Sequence, residues 1–320
     1  MENSHDFVLE AKNLKKSFSL EAGFFSRKDK KVYAVNDVSF GIERGKTYGL
    51  VGESGCGKTT TARILVRMYR ADSGTVEYAP ILGEKTEIGA LKQKNLKKYH
   101  EEVKYVFQDP SRSLNPRMTV FSILTDALRY SSLWNGKSDA REKAGALIEE
   151  VGLSKEDLER RPSEFSGGQR QRISIARGLI MNPKVLVCDE VVSALDVSIQ
   201  GQILNLLQTL REKRGLSFLF IAHDLRVSGW FCDKIGVMYS GVLLEEASAR
   251  DLYKTAAHPY TRLLYEGNGG KGEVKTVLSA ISGCPFASRC PDAQKKCTET
   301  LPPWTKIEED HFVRCHLFCS

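Results

Sequence analysis

The octapeptide GESGCGKT, residues 52–59, constrains the fold of this chain more than any other stretch. It fits the pattern G-x-x-x-x-G-K-[ST], and it stands between the apolar run YGLV and the helix-forming TTTARILVRM. A loop of this kind between a strand and a helix binds phosphate, because its backbone N–H groups surround the anion. The sequence therefore predicts a P-loop in a parallel α/β sheet whose chemistry lies at the carboxyl ends of the strands.

The P-loop and the residue after it form the predicted phosphate-binding set. This set comprises Gly52, Glu53, Ser54, Gly55, Cys56, Gly57, Lys58, Thr59 and Thr60. We expect Lys58 to reach the two outer phosphates of a nucleotide and the Thr59 hydroxyl to bind Mg²⁺.

Two acids follow the apolar strand VLVC, and both are expected to serve the P-loop. A carboxylate at the end of a buried strand is the usual Mg²⁺ partner in a P-loop enzyme, so Asp189 is predicted to complete the metal site begun by Thr59. Glu190 is predicted to position or deprotonate the attacking water. The competing interpretation is that both acids are only part of a solvated loop.

Two further polar residues end apolar strands. Gln108 follows EVKYVF, and its uncharged amide is expected to contact both Mg²⁺ and the attacking water. His223 follows LSFLFIA, and its imidazole is expected to donate to the outer phosphate. A single histidine at a strand end is more often only structural, so the P-loop context carries this prediction.

The stretch EFSGGQRQRISIARGLI, residues 164–180, predicts a second helix whose first turn suits an anion. Ser166 and Gln169 fit a capping box, S-x-x-Q. A capping box does not call for glycine between its two partners, and each glycine costs about 1 kcal/mol of helix stability relative to alanine. Gly167 and Gly168 would instead let a phosphate approach the unpaired N–H groups closely.

Length and charge narrow the class of protein only slightly. The 320 residues exceed the size of one ordinary core, which favours one large domain with an appendage. A net charge of +7 on a chain of this length discriminates poorly between nucleotide, lipid and nucleic-acid partners. The sequence shows neither a run of apolar residues long enough to span a membrane nor a signal-peptide core, so we expect an intracellular protein.

Pattern along the chain predicts three structural blocks around the P-loop. FVLEAKNL and YAVNDVSFGI alternate like small antiparallel strands. Thr119 to about Leu158 carries apolar residues at helical spacing, which predicts two or three amphipathic helices. Alternating buried strands and helices follow, and Gly215 is predicted to close the helix QGQILNLLQTLREKR.

Cysteines crowd into the C-terminal segment. Cys284, Cys290, Cys297 and Cys315 are spaced C-x5-C-x6-C-x17-C, with Cys319 as an extra thiol of no assigned role. In a cytosolic chain, clustering of this kind indicates a metal rather than disulfides. Four thiolates suit either Zn²⁺ or an iron–sulfur cluster, and the spacing alone does not separate the two.

The motifs GESGCGKT, VFQDP, FSGGQRQR, VLVCDE, SALD and IAHD, in that order, resemble those of the ATP-binding subunits of ABC transporters. The resemblance implies that each ATP is held between the P-loop of one subunit and the signature residues 166–169 of another. It also implies that residues 193–196 form the D-loop and that Phe18 stacks on adenine. The implied fold class is an α/β P-loop ATPase with an N-terminal antiparallel β subdomain, an inserted helical subdomain and a small cysteine-rich C-terminal extension.

QDPSRSLNPRMTV, HPYTRLLYE and GCPFASRCPDAQKKC are similar to segments of dipeptide and oligopeptide importer ATPases, in particular the second of their two unlike ATPase subunits. This implies a heterodimer with a homologous ATPase, two transmembrane permease subunits and, indirectly, a substrate-binding protein, at the cytoplasmic face of the membrane. The expected cofactors are ATP, Mg²⁺ and a [4Fe–4S] cluster, with Zn²⁺ as the alternative. Val191 replaces the usual proline of these relatives, which we expect to alter dynamics rather than chemistry.

The expected domains are an ATPase domain at 1–265 with a helical subdomain at about 110–165, a linker at 266–283 and a cysteine-rich extension at 284–320. The alternative function is a soluble ABC ATPase that acts on nucleic acid or ribosomes through a zinc-type tail. Such proteins commonly carry two ATPase halves or a long coiled coil, and this sequence has neither. We therefore expect no nucleic-acid partner.

Overall fold

A computed structural model of the chain describes residues 6–20, 30–267 and 282–319. The strands are β1 Phe7–Leu20, β2 Lys30–Glu43, β3 Thr47–Val51, β4 Ser73–Tyr78, β5 Thr86–Glu87, β6 Val103–Val106, β7 Val185–Asp189, β8 Ser217–Ala222, β9 Lys234–Tyr239, β10 Val242–Ser248, β11 Thr305–Glu308 and β12 His311–Val313. The α-helices are α1 Lys58–Leu65, α2 Gln93–Glu102, α3 Pro110–Ser113, α4 Val120–Arg129, α5 Lys137–Glu150, α6 Gly167–Leu179, α7 Val197–Arg214, α8 Leu225–Phe231, α9 Ala249–Thr255, α10 Pro259–Tyr265 and α11 Lys295–Glu299. No helix in these three ranges is long and apolar enough to cross a membrane.

The residues cluster into two units, the first formed by residues 1–90 with 219–320 and the second by residues 91–218. The predicted domain boundaries remain predictions, and residues 268–281 of the predicted linker lie outside the described residues.

The first unit contains the predicted N-terminal antiparallel sheet. Its strands lie in the order β2-β1-β4-β5, and β1 pairs with β2 along nearly its whole length, from Phe7 opposite Glu43 to Leu20 opposite Lys30. Alternating apolar residues explain this arrangement, because one face of each strand is buried. Leu14 and Val38, for example, are fully buried partners.

A second sheet of the first unit carries the P-loop strand. Its strands follow the order β11-β12-β10-β9-β3-β8, and β3 is parallel to β9. All five residues of β3 are buried, as expected for the strand before a P-loop. Because β12 pairs with β10 through Glu245 opposite Val313, the cysteine-rich extension adds two strands to this sheet. These two strands were not predicted from the sequence.

The helix after the P-loop is shorter than the sequence predicted. The helical pattern continues to Met68, but α1 ends at Leu65. Arg67 has a φ of 60°, in the left-handed region, and its N–H donates to the carbonyl of Ile64 at 2.9 Å. A left-handed residue directly after the last turn closes a helix, so backbone geometry overrides the side-chain pattern here.

The second unit holds the predicted block of helices. Thr119 caps α4, and α4, α5 and a 3₁₀ turn at Lys155–Glu159 confirm the two or three helices expected before Leu158. Strands β6 and β7 pair in parallel, with Val106 opposite Cys188. The predicted closure of α7 is also confirmed, because Gly215 caps it with a φ of 63°.

Candidate functional site

The P-loop is built on glycines that its surroundings require. Gly57 has a φ of 110°, and a Cβ added there would lie 2.1 Å from the carbonyl oxygen of Ala34. A Cβ added at Gly52 would lie 2.0 Å from the carbonyl oxygen of Met238, at the end of β9. Side chains at these two positions would therefore force the loop away from the strands that hold it.

Lys58 is buried at the first position of α1 and turned toward the loop. Its side chain donates to the carbonyl oxygens of Gly52 at 2.6 Å and Glu53 at 2.9 Å. The ammonium thus lies inside the loop that is expected to surround the phosphates. The N-cap, Gly57, supplies no side-chain hydrogen bond, so the first N–H groups of α1 suit an anion.

Residues from the C-terminal part of the first unit contact the P-loop, and sequence reasoning missed them. Arg289 forms a two-pronged ion pair with the Glu53 carboxylate at 2.9 and 3.0 Å. The Glu53 N–H donates to the Tyr260 hydroxyl at 2.9 Å. These partners lie more than 200 positions along the chain from Glu53. Tyr260 lies in the HPYT segment, residues 258–261. The resemblance of this segment to importer ATPases is the one sequence signal that pointed to Tyr260.

Gln108 and Glu190 meet in the second unit. The Gln108 amide donates to the Glu190 carboxylate at 2.7 Å. Glu190 has a φ of 49°, which is uncommon for a residue other than glycine, and the Ser193 hydroxyl donates to its carbonyl at 2.8 Å. The left-handed backbone of Glu190 turns the chain just after β7, so this residue does not continue the strand. Strained backbone of this kind is concentrated at functional sites.

Asp189 ends β7 and is buried, with 3% of its surface exposed. The Tyr105 hydroxyl, on β6, donates a hydrogen bond to its carboxylate. A hydrogen bond to a carboxylate fixes its orientation as well as stabilising its charge. Sequence reasoning missed Tyr105, because a tyrosine in a strand has no distinguishing pattern.

The signature segment has the predicted capping box. The Ser166 N–H donates to the Gln169 side chain at 2.9 Å, and the Gln169 N–H donates to the Ser166 hydroxyl at 3.3 Å. The two glycines differ in their surroundings. A Cβ at Gly168 would lie 2.8 Å from Ile199 of α7, whereas a Cβ at Gly167 would approach nothing closer than Leu195, at 4.0 Å. Packing within the chain thus accounts for Gly168 but not for Gly167.

His223 and Phe18 belong to the first unit. His223 follows β8 and is exposed. Phe18 is half-buried on β1, where its ring meets the edge of Tyr69 with centroids 5.5 Å apart and Lys16 lies 5.4 Å from the ring centroid. Their roles toward phosphate and adenine remain predictions, as do those of all the predicted site residues.

The four cysteines of the extension share one region, and each accepts a backbone N–H. The donors are Phe286, Asp292, Gln294 and Leu317, for Cys284, Cys290, Cys297 and Cys315 respectively. Burial, together with the charges of the three neighbouring cysteines, raises the pKa of the Cys284 thiol to about 11. An N–H directed at sulfur favours a thiolate, which is the form of cysteine that binds metal.

The same region does not form a site for one ion. In the described part of the chain, no three His, Cys, Asp or Glu side chains are grouped so that they could hold a metal ion. The arrangement of the described cysteines therefore supports neither the zinc nor the iron–sulfur interpretation over the other.

Comparisons with known proteins give a consistent result. Residues 35–193 match the ABC transporter family model, and residues 244–297 match the model of the oligopeptide/dipeptide transporter C-terminal region. Oligopeptide transport ATP-binding protein AppF of Bacillus subtilis is 40% identical, with 98% of each chain covered. Oligopeptide transport ATP-binding protein OppF of Haemophilus influenzae is 39% identical, also with 98% of each chain covered.

Solved structures agree with the sequence relatives. The ATP-binding cassette MJ0796, whose structure is a dimer in a post-hydrolysis state bound to ADP and Pi, aligns with a TM-score of 0.64 and 26% identity. The alignment covers 76% of this chain and 99% of that one. The cassette fold therefore accounts for about three quarters of the present chain.

Proposed function

This chain belongs to the family of ABC transporter ATP-binding proteins, and from this premise we propose that it hydrolyses ATP to drive the import of dipeptides or oligopeptides. The observation that carries the proposal is the similarity to oligopeptide transport ATP-binding proteins over 98% of the chain. The C-terminal match at residues 244–297 supports the same substrate class. The alternative, a soluble ATPase acting on nucleic acid, is not favoured by these relatives.

We propose that the P-loop of this chain holds the triphosphate. The buried Lys58 ammonium and the N-terminus of α1 would bind the outer phosphates, because both present donors to an anion. Thr59, Gln108 and Asp189 are the residues that would hold Mg²⁺, and the bound ion would neutralise the charge that develops on the phosphates. Glu190 would take the proton of the attacking water, oriented by its hydrogen bond from Gln108. His223 would donate to the outermost phosphate.

We infer that the ATP site is completed by a homologous ATPase subunit. Ser166, Gly167, Gly168 and Gln169 would approach the nucleotide bound by the partner, and this chain's nucleotide would meet the corresponding residues of the partner. The space around Gly167 supports this role, since no described residue would lie closer than 4.0 Å to a Cβ added there. ATP would then favour the closed dimer, because its outer phosphate makes contacts that ADP cannot make.

The remaining proposed partners are two transmembrane permease subunits and, indirectly, a substrate-binding protein, with this chain at the cytoplasmic face of the membrane.

Reconstitution of the chain with its companion ATPase and permease subunits in lipid vesicles tests the proposed function and these partners. We expect peptide-loaded binding protein to raise the ATPase rate above that with empty binding protein. A matched complex that carries Lys58→Ala should lose ATPase activity with the loaded binding protein and with the empty one. An active complex that ignores the loaded binding protein, or a chain retained on nucleic acid in a salt-sensitive way, would contradict the proposal.

We propose that Cys284, Cys290, Cys297 and Cys315 hold a [4Fe–4S] cluster with a structural role. The backbone N–H groups directed at their sulfurs support this assignment. Anaerobically purified protein should contain about four irons and four sulfides per chain. Cys297→Ser should lose most of this iron, whereas the matched control Cys319→Ser should keep it. Zinc in place of iron, or equal iron loss in both variants, would refute the assignment.

A further inference from the structure

We propose that Arg289 and Tyr260, from the C-terminal part of the chain, are positioning residues for the P-loop, and that Arg289 neutralises the one carboxylate in that loop. The inference rests on the proposed binding of ATP to residues 52–59, but not on peptide import. It gives a function to the HPYT segment, residues 258–261, and to the extension beyond it.

The loop contains a charge that opposes its function. Glu53 is the only acidic residue in GESGCGKT. A carboxylate beside the phosphates of ATP repels them, and the repulsion is strong where protein excludes water. Only 7% of the Glu53 side chain is exposed, so water screens its charge weakly. A loop that carries this acid therefore needs a fixed cation against it.

Arg289 supplies that cation in a geometry that also orients the acid. Two guanidinium nitrogens donate to the two Glu53 oxygens, at 2.9 and 3.0 Å. One of them also donates to the Tyr239 hydroxyl at 3.3 Å, and the guanidinium lies over the rings of Tyr239 and Phe286, 5.7 and 5.6 Å from their centroids. A planar two-pronged pair with aromatic support restricts both side chains, which a lysine could not reproduce.

Tyr260 holds the backbone of the same residue. Its hydroxyl accepts the Glu53 N–H at 2.9 Å, and its ring is fully buried. The ring packs against Tyr239 and Phe286, with centroids 4.7 and 5.3 Å away. Glu53 is therefore held at its main chain by α10 and at its side chain by the extension.

A buried polar network fixes the backbone at Tyr260. The backbone N–H of Tyr260 donates to the His258 imidazole at 3.0 Å, and the backbone N–H of His258 donates to the Glu245 carboxylate at 2.9 Å. His311, in β12, lies 2.7 Å from the other oxygen of Glu245, which has no exposed surface. Satisfied buried networks of this kind make local structure rigid. The contacts thus connect the added strand β12 to the nucleotide-binding loop.

Nucleotide binding by the full chain tests the proposal, with fluorescent mant-ATP as the probe and the KM and kcat of the assembled ATPase as the second readout. Arg289→Ala should raise the Kd and the KM for ATP about 10-fold, in the range typical for loss of a residue that orients a ligand-binding group, with kcat changed much less. Arg289→Lys should lose less affinity, since it keeps the charge. Tyr260→Phe should weaken binding by less than Arg289→Ala.

Two comparisons make the test decisive. The double variant Glu53→Gln with Arg289→Ala should regain most of the lost affinity, because the unpaired carboxylate is gone. Arg314→Ala is the matched control, since Arg314 is likewise an arginine of the extension with little exposed surface, pairs with Asp37 at 2.8 Å and lies over the Trp304 ring. Equal losses of affinity in Arg289→Ala and Arg314→Ala, or a double variant as weak as Arg289→Ala, would overturn the proposal. Wild-type protein that fails to bind mant-ATP would instead reject the proposed function itself.

Discussion

Glu190→Gln should leave ATP binding intact and slow hydrolysis by about 100- to 10,000-fold, the usual contribution of a general base. Glutamine has nearly the same shape as glutamate and can still pair with Gln108, so the loop after β7 should keep its structure. The amide cannot accept a proton from water at neutral pH. ATP should therefore accumulate in the assembled dimer without being cleaved.

The experiment measures single-turnover hydrolysis and nucleotide retention in the assembled transporter. Glu101→Gln is a suitable control, because Glu101 is an acid of the same unit that is also held by hydrogen bonds, from the Ser132 N–H at 2.9 Å and the Ser132 hydroxyl at 2.7 Å. It lies in α2, away from the strand ends that carry the predicted chemistry. Near-normal turnover in Glu190→Gln would remove the residue from its assigned role.

Gly167→Asp should lower the ATPase rate of the assembled complex by about 100-fold or more while the chain still binds ATP through its own P-loop. Like charges about 4 Å apart near a protein surface repel by about 4 kcal/mol. A carboxylate at the start of α6 would therefore oppose the phosphates of a partner's nucleotide. Folding of the chain itself should not suffer, because an added Cβ has room there and an acid in a first helical turn is favourable.

Gly201→Asp provides the matched control for this variant. Gly201 lies in α7 of the same unit, and a Cβ added there also has room, with no described neighbour within 4 Å. Thermal unfolding should show both variants folded, and only Gly167→Asp should block hydrolysis. If both variants hydrolyse ATP at the wild-type rate, the nucleotide is not shared through residues 166–169.

The sequence correctly predicted those helix ends that are determined by adjacent residues. Ser166 and Gln169 form their capping box, and Gly215 closes α7. It failed at the end of α1, where the apolar pattern continues to Met68 but a left-handed Arg67 ends the helix at Leu65. Side-chain periodicity does not report such a backbone conformation, since arginine has no preference for it.

Within the candidate site, the sequence alone determined the phosphate-binding loop, the acids that end β7 and the glycine-fronted helix, because each is encoded in a few consecutive residues with a fixed backbone requirement. The tertiary structure decided which residues support them. It paired Tyr105 with Asp189 across 84 positions and Arg289 with Glu53 across 236 positions. It also separated a glycine required by packing, Gly168, from one that the chain does not itself require, Gly167. Contacts between distant segments depend on how strands and helices pack together, and local sequence carries no record of that packing.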